Sequence, residues 1–361
     1  MPKDNENVPD SIWTTDEPEE PGFAPFAPDQ MVRCDECLRA NPPTRVNCLY
    51  CGAAVPHNEI TLALQKPALR PLEKWEQGYN NIVLPPVANL SATDLTEAAS
   101  VLRLRADDLE RILTAGTPLP IARAATIDEA QLVQRRLSLL GIESTIMPDA
   151  VAGTDAAGTV KVRSLEIDEA GMFAYQSPDA PFTAIPWSDL VVLVVGRLIV
   201  KRVELKERKG ARSENSILDS SEFVTDETVA EFYTRTQPMP YRIAANSFDF
   251  SCLGSSKGLL AGENIAKLLE LFRQNAPHLV YDDAFNSLRR ILEPVWPIEQ
   301  QNESSGWRRQ GPGKYSIGSV VERSNEVQFS RYSRLRQHLQ TTAGGVANEP
   351  ANPLAAPGEK G

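Results

Sequence analysis

The chain has 361 residues, 37 Lys plus Arg against 48 Asp plus Glu, a formal net charge of −11 and 42% hydrophobic residues. That length and apolar content suffice for two or three domains with buried cores, and the bulk acidity argues against a dedicated nucleic-acid or membrane-coating protein. The longest apolar run, Leu190 to Val200, is interrupted by Arg197 and closed by Lys201 and Arg202; it falls short of the ~18 residues of a membrane span and reads as a buried strand or a pair of strands, Leu190 to Val195 and Leu198 to Lys206.

Residues 1–30 are rich in acids and prolines and nearly free of aliphatic side chains, so they are expected to form a disordered acidic arm. The opening MPKDNENVPDSIW lacks the apolar segment of a secretory signal, which predicts a reducing, cytoplasmic location and disfavours disulfides. Residues 31–56 then place Cys34, Cys37, Cys48 and Cys51 in a C-x2-C…C-x2-C spacing. Each knuckle aims two thiolates at one point, and two knuckles on a short loop supply a closed tetrahedral shell. The spacing predicts a structural Zn2+ and no catalytic metal. A redox pair fits less well, because the pairs are separated by a turn at Asn41, Pro42 and Pro43.

The spacing Cys37-x3-Asn41-x6-Cys48, with Arg39 and Arg45 nearby, resembles the Ran-binding-protein type of zinc finger. Several of those fingers bind single-stranded RNA through the asparagine, arginines and a stacked aromatic, so the resemblance implies an RNA-contact role for Asn41, Arg39 and Arg45. Asp35 and Glu36 on the first knuckle oppose phosphate approach, which predicts that any RNA binding is weak.

A linker, 57–77, carries Pro67 and Pro71. Residues 78–148 read as a strand (81–87), two short helices (93–102 and 106–113), an extended piece (119–123), a helix opened by Thr126-Ile-Asp-Glu129 and stopped by Gly141, and a strand (142–147). This β-α-α-β-α-β order, with the GTPLPI loop and DEAQLVQRRLSLLGIESTIM, resembles the C-terminal domain of the large-subunit ribosomal stalk protein, which implies that fold and a protein-contact role. Residues 158–277 read as successive strands closed by an amphipathic helix, 259–274. That order is similar to a PH-like barrel, a superfold whose members mostly bind peptides or lipid headgroups. A helix is expected within 278–297, a basic aromatic tail over 298–340 (Trp307, Arg308, Arg309, Lys314, Tyr315, then Arg331 to Arg336), and a second disordered tail over 341–361.

Gly254-Ser255-Ser256-Lys257-Gly258 satisfies G-x-S-x-G and would make Ser256 a nucleophile, with His278 or His338 as base and Asp282 or Asp283 as orienting acid. The preceding consecutive strands lack the strand-helix-strand units such an elbow needs. Cys252 reads as a small buried hydrophobe. The resulting expectation is an α+β multidomain protein: zinc ribbon, small αβ domain and PH-like β domain. It is expected to be a non-enzymatic adaptor or regulatory protein with protein partners, with no small-molecule substrate and no membrane span. An RNA-associated protein is the alternative reading, and a serine hydrolase the remote one.

Overall fold

The computed structural model describes residues 26–346 except 46, 57–66, 68, 74, 88–89, 154–157, 210–214 and 312–313. Most of the arm at 1–30, much of the linker at 57–77 and most of the tail at 341–361 therefore lie outside the described residues. The chain divides into two compact units, Met1–Lys66 and Pro67–Gly361. The first is built on a two-residue pairing, β1 (Val32–Arg33) antiparallel to β2 (Ala40–Asn41), with an isolated bridge between Asn47 and Ala54. Its small core is Cys34, Cys48 and Val55.

The second unit opens with β3 (Tyr79–Val83), α1 (Ala92–Leu102), α2 (Ala106–Thr114), β4 (Leu119–Ala124), α3 (Ile127–Leu139) and β5 (Ser144–Pro148). β3 lies at the centre of an antiparallel sheet of order β4-β3-β5. Local chemistry sets the helix ends. Ser91 caps α1 by accepting from Asp94 N–H at 3.1 Å, and Thr126 caps α3 by accepting from Glu129 N–H at 3.2 Å. Glu129 reaches back to Ala125 N–H at 3.1 Å, one residue beyond the cap itself. At the far end Gly141, at φ +78°, allows Ile142 N–H to reach Leu137 C=O at 2.9 Å and its own N–H to reach Ser138 C=O at 3.0 Å, a Schellman closure.

After a short turn of helix, α4 (Asp149–Ala152), come β6 (Val160–Val162), β7 (Ser164–Ile167), β8 (Gly171–Tyr175), β9 (Thr183–Pro186), β10 (Leu190–Lys209), β11 (Asn215–Thr234) and β12 (Tyr241–Ala244). α5 (Ala261–Asn275), β13 (Val280–Asp282), α6 (Phe285–Leu292), β14 (Glu299–Gly311), β15 (Lys314–Ser324) and α7 (Glu326–Val346) complete the unit. The central sheet runs β14-β15-β10-β11-β12-β6, with β13 parallel to β10, while β7, β8 and β9 form a separate antiparallel sheet.

β10 and β11 are a wall between two cores. Val192, Val194, Val229 and Tyr233 face one core, shared with the β3–β5 sheet, α6 and α7; Leu193, Val195, Ala230 and Phe232 face the other, under β7–β9 and α5. A strand buried on both faces reads as an unbroken apolar run instead of an alternating one. This accounts for Leu190 to Val195 in the sequence.

One expectation narrows here and another changes. The run Leu190 to Val200, which reads as one buried strand or a pair, is a single strand: β10 is continuous through Gly196-Arg197. Gly196 is a packing residue: a Cβ there would lie 2.6 Å from the Phe329 ring and 2.8 Å from the Phe285 ring. The glycine lets two aromatic rings from α6 and α7 lie on the strand. Residues 298–340, expected as a basic tail, form the β14–β15 hairpin and most of α7. Phe329, Tyr332 and Leu335 of α7 are fully buried in the core shared with β3–β5, so their cationic neighbours are drawn into the fold with them. Arg336 Nε sits 2.5 Å from Asp282, which also accepts from Tyr332 Oη at 2.9 Å. Arg334 occupies the space that side chains at Gly153 and Gly158 would take. The side chains of Trp307, Arg308, Arg309, Lys314 and Tyr315 lie outside the described residues.

Buried charge ties the same pieces together. Asp149 is 1% exposed and accepts from Gly78 N–H and Asn80 Nδ2, each at 2.8 Å, and from Arg123 Nε at 2.8 Å. Asn80 in turn accepts from Trp296 Nε1 at 2.9 Å. Arg242 reaches Glu231, itself 0% exposed, at 2.7 Å, Ser330 at 2.8 Å, and Glu326 at the start of α7.

Candidate metal centre

The four cysteines converge. Their Sγ atoms all lie within 4.8 Å of one another; Cys34 and Cys51 are 3.6 Å apart and Cys37 and Cys48 are 3.5 Å apart. These distances exclude S–S bonds, which are ~2.05 Å. They suit sulfurs around one tetrahedral metal, where metal–sulfur bonds of ~2.3 Å put neighbouring sulfurs about 3.8 Å apart. The cluster can hold a metal ion.

The two knuckles repeat one backbone pattern. Leu38 N–H donates to Cys34 C=O at 2.9 Å and Gly52 N–H to Cys48 C=O at 3.0 Å; Cys34 N–H donates to Arg39 C=O at 3.0 Å and Cys48 N–H to Ala53 C=O at 2.7 Å. The fourth residue after each leading cysteine turns left-handed, Leu38 at φ +59° and Gly52 at φ +77°. Gly52 has open space around a would-be Cβ, so its requirement is conformational. Leu38 adopts the same geometry with a side chain attached and keeps it 70% exposed.

The sulfurs are held by donors. Asn41, 0% exposed, gives Nδ2 to Cys48 Sγ at 3.3 Å and accepts Leu49 N–H on Oδ1 at 2.8 Å, while Tyr50 N–H points at Cys48 Sγ at 3.4 Å. Burial pushes the Cys48 thiol up, but the N–H groups of Tyr50 and Cys51 and the Asn41 amide outweigh it and bring the thiol down to about 6. Cys51 goes the other way. Its bond from Ala53 N–H favours the thiolate, yet burial and the three neighbouring sulfurs together push it up to about 12. The protein's own donors thus support the first thiolate, and further negative charge in the cluster calls for a cation.

Asn41 was a candidate RNA-reading residue; both ends of its amide are committed to the second knuckle. Arg39 lies 4.8 Å over the Tyr50 ring, and both residues are exposed. Leu49 and Tyr50 are 51% and 56% exposed at the tip of the second knuckle, matching Leu38 at the first. The sequence signal for these tips was available, since apolar residues inside and just behind a knuckle have little core to enter.

The hydrolase constellation is not brought together. Ser256 ends the turn Phe250–Ser256; its backbone carbonyl accepts from Lys267 Nζ at 2.8 Å, and among the described residues its hydroxyl bonds neither histidine. His278 bonds Leu190 C=O at 3.1 Å, Asp282 is committed to Tyr332 and Arg336, and His338 lies on α7. Cys252 is partly buried, and burial raises its thiol above the ordinary value. Among the described residues no helix is long and apolar enough to cross a membrane.

No family model matches the chain, and neither curated proteins nor solved structures give a match. The resemblances to the ribosomal stalk protein domain and to a PH-like barrel find no support in those comparisons. The chain is a mixed α+β protein with several sheets and a four-cysteine cluster.

Proposed function

We propose that this protein is a zinc-stabilised, non-enzymatic adaptor or regulatory protein that works through protein–protein contacts in a reducing compartment, the cytoplasm. The observation that carries the reading is the convergence of four sulfurs within 4.8 Å. Four thiolates complete a tetrahedral shell and leave no coordination position for water or substrate, so the metal contributes folding energy. All-sulfur tetrahedral ligation suits zinc, which has no redox chemistry of its own to perturb the site. With so small a core, this unit keeps Leu38, Leu49 and Tyr50 outside, where apolar tips beside a rigid metal site suit a partner's surface.

One observation favours the RNA reading: an exposed arginine over an exposed tyrosine is a platform on which an unstacked base can lie. Against it stand the commitment of Asn41 to the knuckle and the incorporation of the expected basic tail into the fold. Capture experiments with the intact chain and with Leu49→Asp plus Tyr50→Ala test the choice. The adaptor reading expects a protein partner retained at moderate salt and lost in the double variant, with metal content unchanged. Salt-sensitive retention of single-stranded RNA, abolished by Arg39→Ala, would replace it with the RNA reading.

A further inference from the structure

A cavity of 540 Å³ opens between β10, the β14–β15 hairpin and α6. Lys201 from β10, Arg323 from β15, and Arg289 and Arg290 from α6 line it, with Glu293 as its one carboxylate and Ile199 and Ile298 as apolar wall. We propose that this cavity binds a ligand carrying two or more phosphate groups.

Two of the cations are already partnered on one side: Lys201 Nζ meets Glu222 at 2.8 Å, and Arg323 Nε donates to Gln300 Oε1 at 2.9 Å. Arg289 and Arg290 make no side-chain hydrogen bond or ion pair among the described residues. Glu222 and Glu293 offset part of the charge of the cluster, and a net excess of cations remains around the cavity. Gln300, Arg323 and Lys201 stand in register on one face. Their neighbours Glu299, Glu322 and Ser324, with Glu326, line a separate cavity of 250 Å³ on the other face. Alternation along β14 and β15 therefore puts Gln300 and Arg323 on the side of the larger cavity and Glu299 and Glu322 on the other.

Basic residues in the last turn of α6 complement its dipole, but that role needs no convergence with strand cations from β10 and β15. Four like charges around one concavity repel, and a bound polyanion relieves the repulsion while accepting charge-assisted hydrogen bonds from guanidinium forks. The volume falls within the ~300–1,000 Å³ typical of small-ligand sites.

The test uses the full chain, titrated with inorganic tripolyphosphate by calorimetry and sedimented with phosphatidylcholine vesicles with or without phosphatidylinositol bisphosphate. Arg290→Glu with Arg323→Glu should weaken binding by about tenfold or more. Arg235→Glu with Lys257→Glu, the same charge change at positions outside the cavity, should leave binding within about twofold, as expected where charge is lost beyond direct contact. Arg290→Lys with Arg323→Lys keeps the charge but removes the bidentate fork, so its loss should be measurable yet smaller than that of the glutamate pair. Binding of soluble tripolyphosphate assigns a free ligand; binding only to phosphoinositide vesicles assigns a lipid headgroup. Either outcome supports the site. No binding to either probe, equal losses in the cavity variant and the remote control, or tight binding confined to single-stranded RNA would overturn the proposal.

Discussion

Asn41 shows how one side chain can be drawn away from the surface. Its amide spans the second knuckle, donating to Cys48 Sγ and accepting from Leu49 N–H, so it orients a ligand and supports the thiolate. Groups that hold a ligand from behind typically change metal affinity by about 10–100-fold when removed. Asn41→Ala should therefore lower affinity for zinc within that range, measured by competition with a chromogenic chelator; unchanged affinity would mean that the contact is incidental. At Asp149 the relevant quantity is pH. Burial opposes its charge, but Arg123, Asn80 and Gly78 N–H outweigh burial and hold the carboxyl below its ordinary value of 3.8. Its folded value is thus below its unfolded one, so its stabilising contribution is complete above the ordinary carboxylate range and is lost as pH falls through the lower folded value. Asp149→Asn should flatten the dependence of stability on pH below ~4. At neutral pH it should cost about 3–5 kcal/mol in urea unfolding, because Arg123, its side chain only 14% exposed, loses its carboxylate partner.

At the scale of elements, the central feature is β10 passing between two cores with Gly196 beneath Phe285 and Phe329. Gly196→Ala should destabilise the protein by about 1–3 kcal/mol through overpacking; a neutral or stabilising effect on chemical denaturation would show that the rings have room to move. This position also shows the limit of reading elements from local pattern. Caps and stops act over four or five residues, so Thr126, Glu129 and Gly141 were legible, as was the order of elements from β3 to β5. Gly196 carries the same local signal as a strand break, and the ring that requires it lies 133 positions later in the chain. β13, three residues long and paired parallel to β10, gave no periodic signal at all. The cysteine site was the most legible feature because a metal shell of this type is encoded within 18 residues. The commitment of Asn41 and the cavity beside α6 were not, since both depend on how separate segments meet.

For the molecule as a whole, the fold closes on its C-terminal helix. α7 places Phe329, Tyr332 and Leu335 in the core shared with β3–β5, and its Glu326, Ser330 and Arg336 complete buried polar networks with Arg242 and Asp282. Since truncating one large buried side chain costs about 2–5 kcal/mol and domain stabilities are ~5–15 kcal/mol, ending the chain after Ser324 should abolish the cooperative near-ultraviolet transition of the unit Pro67–Gly361. A preserved transition would show that the β3–β5 portion has a self-sufficient core. The metal unit is separate, and the functional account rests on its coordination shell being closed. X-ray absorption at the zinc edge of the purified full-length protein tests this most directly. The account predicts zinc with four sulfur neighbours at about 2.3 Å and no lighter ligand; absence of zinc, or an oxygen or nitrogen in its first shell, would contradict it.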